Sequence, residues 1–172
     1  IFAATLCGCA GDISSSVQQE ESSSRSSTKW TVTEVADDDI SCEGLVLTAL
    51  NAGNFPEMVK ATDSTLLDTI MDFSKYGITD YCVYQQAISV ELSEVIVVRA
   101  IDTDGVYDAL QSRKESLIKQ FGTYPEQAKN AEQTVVFKKG DLCFLIASEE
   151  PDKAEKAISD KIKANSDVLS VS

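Results

Sequence analysis

Apolar and polar positions along the chain recur at spacings that switch between helical and extended periods. Leu45, Val46, Leu47 and Leu50 form a cluster stopped by Asn51-Ala52-Gly53-Asn54, which predicts a helix with Gly53 or Asn54 near its C-cap. Residues 56–61 follow as a short strand or extended link. Asp63 is the N-cap expected for a second helix through Leu66, Leu67, Ile70 and Met71, ending near Tyr76-Gly77. The pattern then turns extended. Residues 80–85 and 93–101, the latter with Val95-Ile96-Val97-Val98, are apolar runs of strand length. Asp104 is the cap expected for a long helix, because Val106, Leu110, Leu117 and Phe121 fall at helical spacing before Tyr124-Pro125 closes it. Glu126 to Ala131 should add about one helical turn. Thr134 to Phe137 and Leu142 to Ala147 flank Lys138-Lys139-Gly140-Asp141, a compact hairpin turn in which glycine supplies positive φ. Pro151 suits the first turn of a last helix with Ala154, Ala157, Ile158 and Ile162 on one face.

This order predicts an α+β fold: a two-layer arrangement with an antiparallel sheet of about four strands covered by helices. The 172 residues suit one ordinary domain plus a tail, so residues 30–172 are read as a single globular domain. The two strand-strand-helix units are loosely alike, but no repeat is long enough to mark tandem modules.

The start of the chain reads differently. Residues 1–9 are apolar and uncharged, yet far too short to cross a bilayer, which takes about 20 apolar residues. They read as the end of a secretory signal. Leu6-Cys7-Gly8-Cys9 resembles the bacterial lipobox, which implies that the Cys9 thiol takes diacylglycerol and that the bond after Gly8 is cut. Residues 10–29 carry eight serines and little that is apolar beyond Ile13 and Val17. Such a stretch cannot offset its ordering entropy by burial, and a disordered tether is expected, spanning about 25 Å r.m.s. and at most about 70 Å. Signal, lipobox and tether together predict a lipoprotein whose partner is the membrane, held through its N-terminal lipid on the outer face of the cytoplasmic membrane.

Charge and chemistry narrow the function. Lys and Arg number 15, Asp and Glu 28, and histidine is absent, for a net charge of −13. Without histidine there is no Ser-His or Cys-His nucleophile. The acidic balance argues against nucleic acid, which takes clustered Lys and Arg. It favours basic partners, with affinity falling as salt rises. Cys42, Cys82 and Cys143 are an odd set without C-x-x-C spacing, so no zinc site or other metal centre and no cofactor is expected. They read as buried thiols, and a Cys82–Cys143 disulfide is open only if their strands are neighbours. Asp37-Asp38-Asp39 reads as a solvated helix start rather than a cation site. In Asp102-Thr103-Asp104-Gly105 a calcium loop would need Ala100 as first ligand and Gln111 as last, so the motif reads as a helix cap.

Phe55-Pro56-Glu57-Met58-Val59, Asp80-Tyr81-Cys82-Val83-Tyr84-Gln85, Leu92-Ser93-Glu94-Val95-Ile96-Val97, the helix closed by Tyr124-Pro125, and 135–145 occur in that order. Over roughly residues 40–160 this order resembles the domain-of-unknown-function family 4358. The resemblance implies an extracytoplasmic lipoprotein of Gram-positive bacteria with no assigned activity and no catalytic residue to carry over. It also implies a recurring acidic residue before the second strand, here Glu94, read as an edge charge or the partner of a nearby Lys or Arg. The function expected is a non-enzymatic binding or accessory module for an envelope protein or cell-wall component. The alternative is a carboxylate-dependent hydrolase pairing Glu94 with Asp80 or Asp102. Solute capture for a transporter is a third reading, for which about 140 residues is short.

Overall fold

The computed structural model describes residues 40–87 and 91–169. The signal, Cys9, the serine-rich stretch, the expected domain start at Trp30 and the Asp37–Asp39 triplet all lie outside the described residues. Helix α1 spans Cys42–Ala52, strand β1 Met58–Lys60, α2 Ser64–Asp68, β2 Ile78–Gln86 and β3 Glu94–Ala100. Helices α3 (Thr103–Phe121) and α4 (Pro125–Glu132) precede β4 (Val135–Lys139), β5 (Leu142–Ala147) and α5 (Pro151–Leu169). The strands form one open antiparallel sheet in the order β1-β2-β3-β5-β4. The α+β class and the antiparallel sheet are those expected, with β1 as a fifth strand.

The helices divide over both faces of the sheet, which gives three layers where two were expected. The cause lies in the central strands. On β3, Val95 and Val97 turn to one side while Ile96, Val98 and Ala100 turn to the other; on β5, Leu142, Phe144 and Ile146 oppose Cys143, Leu145 and Ala147. Strands apolar on both faces must be covered twice. One face packs on α1 and α5 through Leu45, Val46, Leu50, Ala154 and Ile158. The other packs on α3 through Val106, Leu110, Leu117 and Phe121, with Leu67 of α2 and Ala131 of α4 beside them. Strand β5 lies between β3 and β4, so α3 and α4 carry the chain across the sheet from one of its neighbours to the other.

Local chemistry sets the element ends. Ser41 caps α1 by accepting from the Gly44 amide at 3.1 Å, and the Asp80 carboxylate of β2 accepts from the Cys42 amide at 2.9 Å. Asp63 caps α2 as expected, accepting from Thr65 at 2.8 Å. That helix stops at Asp68 rather than near Tyr76-Gly77: the Thr69 and Ile70 amides tighten the last turn by donating to the Leu66 and Leu67 carbonyls at 3.1 and 2.9 Å. Beyond it Asp72 accepts from the Ser74 amide at 3.0 Å, while Tyr76 and Gly77 take positive φ. The cap of α3 is Asp102, two residues before the expected Asp104; its carboxylate accepts from the Gly105 amide at 2.9 Å. Gly105 is required there, since a Cβ would fall 2.5 Å from the Tyr76 ring and 2.6 Å from the Asp102 carboxylate. Pro125 opens α4, which runs eight residues and not a single turn. Gly140, at φ +61°, makes the two-residue turn that joins β4 to β5.

The three cysteines of the domain are free and buried. Cys82 and Cys143 lie on opposite faces of the sheet, on strands that β3 separates, so they cannot form a disulfide. Burial pushes both thiols up from 9.0 to about 11, and burial together with the nearby Asp80 carboxylate pushes Cys42 higher still. Below pH 9, therefore, iodoacetamide should modify Cys42, Cys82 and Cys143 only after denaturant is added, as read by peptide mass spectrometry. Between pH 9 and 11 the unfolded chain releases thiol protons that the folded chain keeps, so the urea midpoint should fall as pH rises.

Candidate functional site

One end of the sheet opens on the α3 side into a cleft of about 410 Å³. Its floor is an ion pair. Glu94, the first residue of β3, sits on the α3-facing side of that strand with Ile96 and Val98, and its side chain is 1 % exposed. Across from it on α3, Arg113 lies between Leu110 and Leu117 on the buried stripe, 12 % exposed. The guanidinium grips the carboxylate with two parallel bonds: Nε donates to Oε2 and Nη2 to Oε1, both at 3.0 Å. Gln85, opposite Glu94 in the β2–β3 register, donates its side-chain amide to the same Oε1. Glu94 thus accepts three hydrogen bonds, as a buried carboxylate requires.

The walls are of two kinds. Leu66 of α2, Leu92, Leu117 and Phe121 supply apolar surface; Thr69, Gln86 and Gln120 supply uncharged polar groups. The frame around the cleft is tied down by backbone bonds. Gln86 accepts from the Ser93 amide at 3.1 Å, and Gln127 of α4 accepts from the Leu92 amide at 2.7 Å. Lys114 donates to the Thr134 carbonyl at 2.6 Å, fixing α3 against the start of β4. Among the described residues the lining is amphipathic, and its charged groups are the paired Glu94 and Arg113, which balance.

Glu94 is the first residue of the central strand β3 rather than a residue before it, and of the two roles expected it is the partner of a nearby arginine and not an edge charge. The carboxylates named as possible catalytic companions are elsewhere. Asp80 lies five residues along β2 from Gln85, about 17 Å away, and on the opposite face, where it caps α1. Asp102 caps α3 eleven residues before Arg113, about 16 Å along the helix axis. The structure brings neither to Glu94. Arg113 was not singled out from sequence, although the stripe Val106, Leu110, Leu117, Phe121 skips the one helical position that Arg113 occupies. An arginine inside an apolar stripe signals a buried anion. Among the described residues no group of three or more Cys, Asp or Glu side chains is placed to share a metal ion, and no helix is long and apolar enough to cross a membrane.

The fold and cleft define a five-stranded antiparallel α+β domain, clad on both faces, with a neutral pocket floored by a buried carboxylate–guanidinium pair. A family model described as Domain of unknown function (DUF4358) matches residues 51–148, from the end of α1 to just past β5, and the chain belongs to that family. The matched segment contains both members of the ion pair and every lining residue of the cleft. No curated protein and no solved structure matches the chain.

Removing one partner of a buried pair strands the other charge. Arg113→Met and Glu94→Gln should each lower unfolding stability by about 3–5 kcal/mol, whereas the double variant Glu94→Gln, Arg113→Met should be less destabilised than the sum. Urea denaturation of the four proteins measures the coupling; additive losses would show that the pair does not interact.

Proposed function

We propose that this domain is a non-enzymatic binding module of a cell-surface lipoprotein, carried outside the cytoplasmic membrane by lipid on Cys9, and that the cleft receives an envelope protein or cell-wall component. One observation carries the reading. Among the described residues Glu94 is the only carboxylate lining the cleft, and both of its oxygens are spent on Arg113 and Gln85. A general base needs a lone pair facing its substrate, and glycoside hydrolysis takes a second carboxyl about 5–9.5 Å away. Glu94 has the geometry of a structural acceptor, which leaves the cleft to bind rather than react. The lipobox-like Leu6-Cys7-Gly8-Cys9 and the serine-rich stretch after it support the anchor, and a tether of about 25 Å concentrates the domain near other envelope components.

The runner-up is a carboxylate-dependent hydrolase of envelope material, favoured by the position of Glu94 on the cleft floor. A single set of measurements separates the two. In cells that export and acylate the protein, mass spectrometry of the membrane fraction should find diacylglycerol on an N-terminal Cys9, and Cys9→Ala should release the protein from the membrane. The purified chain should turn over no peptidoglycan fragment, glycoside or ester. An unmodified Cys9 in processed protein would remove the anchor. Turnover lost in a Glu94→Gln sample that is still folded would replace the binding module with the hydrolase.

A further inference from the structure

The pairing inside the cleft leaves a defined set of groups without a protein partner and open to solvent, and they specify a ligand. Arg113 has five N–H donors, and Glu94 engages two of them. Among the described residues, Nη1 of Arg113 has no hydrogen-bond partner, although the side chain is 12 % exposed. Gln85 spends its amide nitrogen on Glu94 and keeps its carbonyl oxygen; Gln86 spends its carbonyl oxygen on the Ser93 amide and keeps its nitrogen. Among the described residues Gln120 has no partner for either end of its side-chain amide. The cleft therefore offers donors and acceptors together, around a pair that carries no net charge. None of these groups is both buried and unpartnered among the described residues, so each reaches water at the cleft surface, and a ligand that matches them exchanges water for protein hydrogen bonds.

Each simple ligand class can be compared with that set. A carboxylate or phosphate reaching Arg113 would bring its charge beside Glu94, which already neutralises the guanidinium. A cation would find Glu94 already accepting three bonds. An acyl chain would cover the Leu66, Leu117 and Phe121 wall but leave the Arg113 and glutamine amides unpaired in a drier site. A neutral sugar would satisfy the polar groups and waste the apolar wall. An amide has one acceptor and one donor, no charge, and in a peptide it stands next to an apolar side chain. The volume, about 410 Å³, lies at the small-ligand end of the range for binding pockets, about 300–1,000 Å³.

We propose that the cleft recognises an uncharged peptide segment: a backbone carbonyl accepts from Nη1 of Arg113, the adjoining N–H donates to Gln85 or Gln120, and an apolar side chain lies on Leu66, Leu117 and Phe121. This rests on the reading of the cleft as a binding site and names the class of partner it takes.

The test is ¹⁵N NMR of the full 172-residue chain, prepared without lipid, titrated with three probes: N-acetyl-leucine methylamide, N-acetyl-leucine and methyl glucoside. The neutral diamide should shift the side-chain amides of Gln85 and Gln120 and the Nε–H of Arg113 saturably, and N-acetyl-leucine should bind about tenfold more weakly. Gln120→Trp, at an exposed position of α3 that makes no internal bond, should fill the cleft, keep the fold by thermal melting and abolish those shifts. Equal or tighter binding of the carboxylate or the glucoside would overturn the peptide assignment while leaving a binding cleft. The absence of any diamide-induced shift at these three side chains, or full diamide binding by a folded Gln120→Trp variant, would overturn it as well. Cleavage of the diamide to free N-acetyl-leucine would instead defeat the non-enzymatic reading and uphold the recognition of the amide.

Discussion

Strands β3 and β5 have no polar face, and the rest of the domain is arranged to keep water from both sides of them. Antiparallel sheets often leave one face wet, with apolar and polar residues alternating along each strand. Here Val95 to Val98 and Leu142 to Ala147 are buried without interruption. Each fully buried Val, Leu, Ile or Phe side chain gains about 1.5–3 kcal/mol relative to exposure. A sheet covered once would forfeit half of that. Helices α1 and α5 on one side and α3 on the other are thus a consequence of the central pair, and the shorter elements fill the edges. Phe144 shows how closely this packs, its ring stacked on Phe137 of the neighbouring strand with centroids 4.5 Å apart.

Against that background a buried Glu94 and Arg113 are expensive residues. Two charges withdrawn from water cost several kcal/mol each before their attraction is counted, and an apolar pair of similar volume would serve stability as well or better. The pair sits where the apolar layer ends and the cleft begins. Its bidentate geometry fixes the relative position of β3 and α3 at that mouth, and Gln85 adds β2 to the same knot. The cleft walls therefore come from elements held in register by polar bonds, so the cleft is preformed by the fold.

Much of the architecture was legible in the chain because the deciding signals are local. Gly53, Asp63, Pro151 and the Gly140 turn mark their boundaries with residues whose conformational preferences act within a few positions. The misreadings have the same origin. Asp104 was the nearer acid to the apolar stripe, but Asp102 reaches the Gly105 amide because the glycine leaves room for it. The third layer was missed although its signal was present: continuous rather than alternating apolar strands ask for cover on both faces. Glu94 was legible as half of an ion pair. Its partner was not, because a strand residue and a helix residue nineteen positions apart meet only after the sheet and α3 have docked.

The position of β5 has a consequence for how the chain reaches this state. β5 is the last strand in the sequence, yet it occupies the slot between β3 and β4, pairing residues as distant as Glu94 and Ala147. Closing such a long loop is entropically slow, whereas β4 and β5 meet across two residues. The economical route is for the Gly140 turn to bring β4 and β5 together first, and for that hairpin to dock as one body, β5 leading, against a β2–β3 edge already roofed by α3. The glycine in the turn then governs a rate as well as a shape.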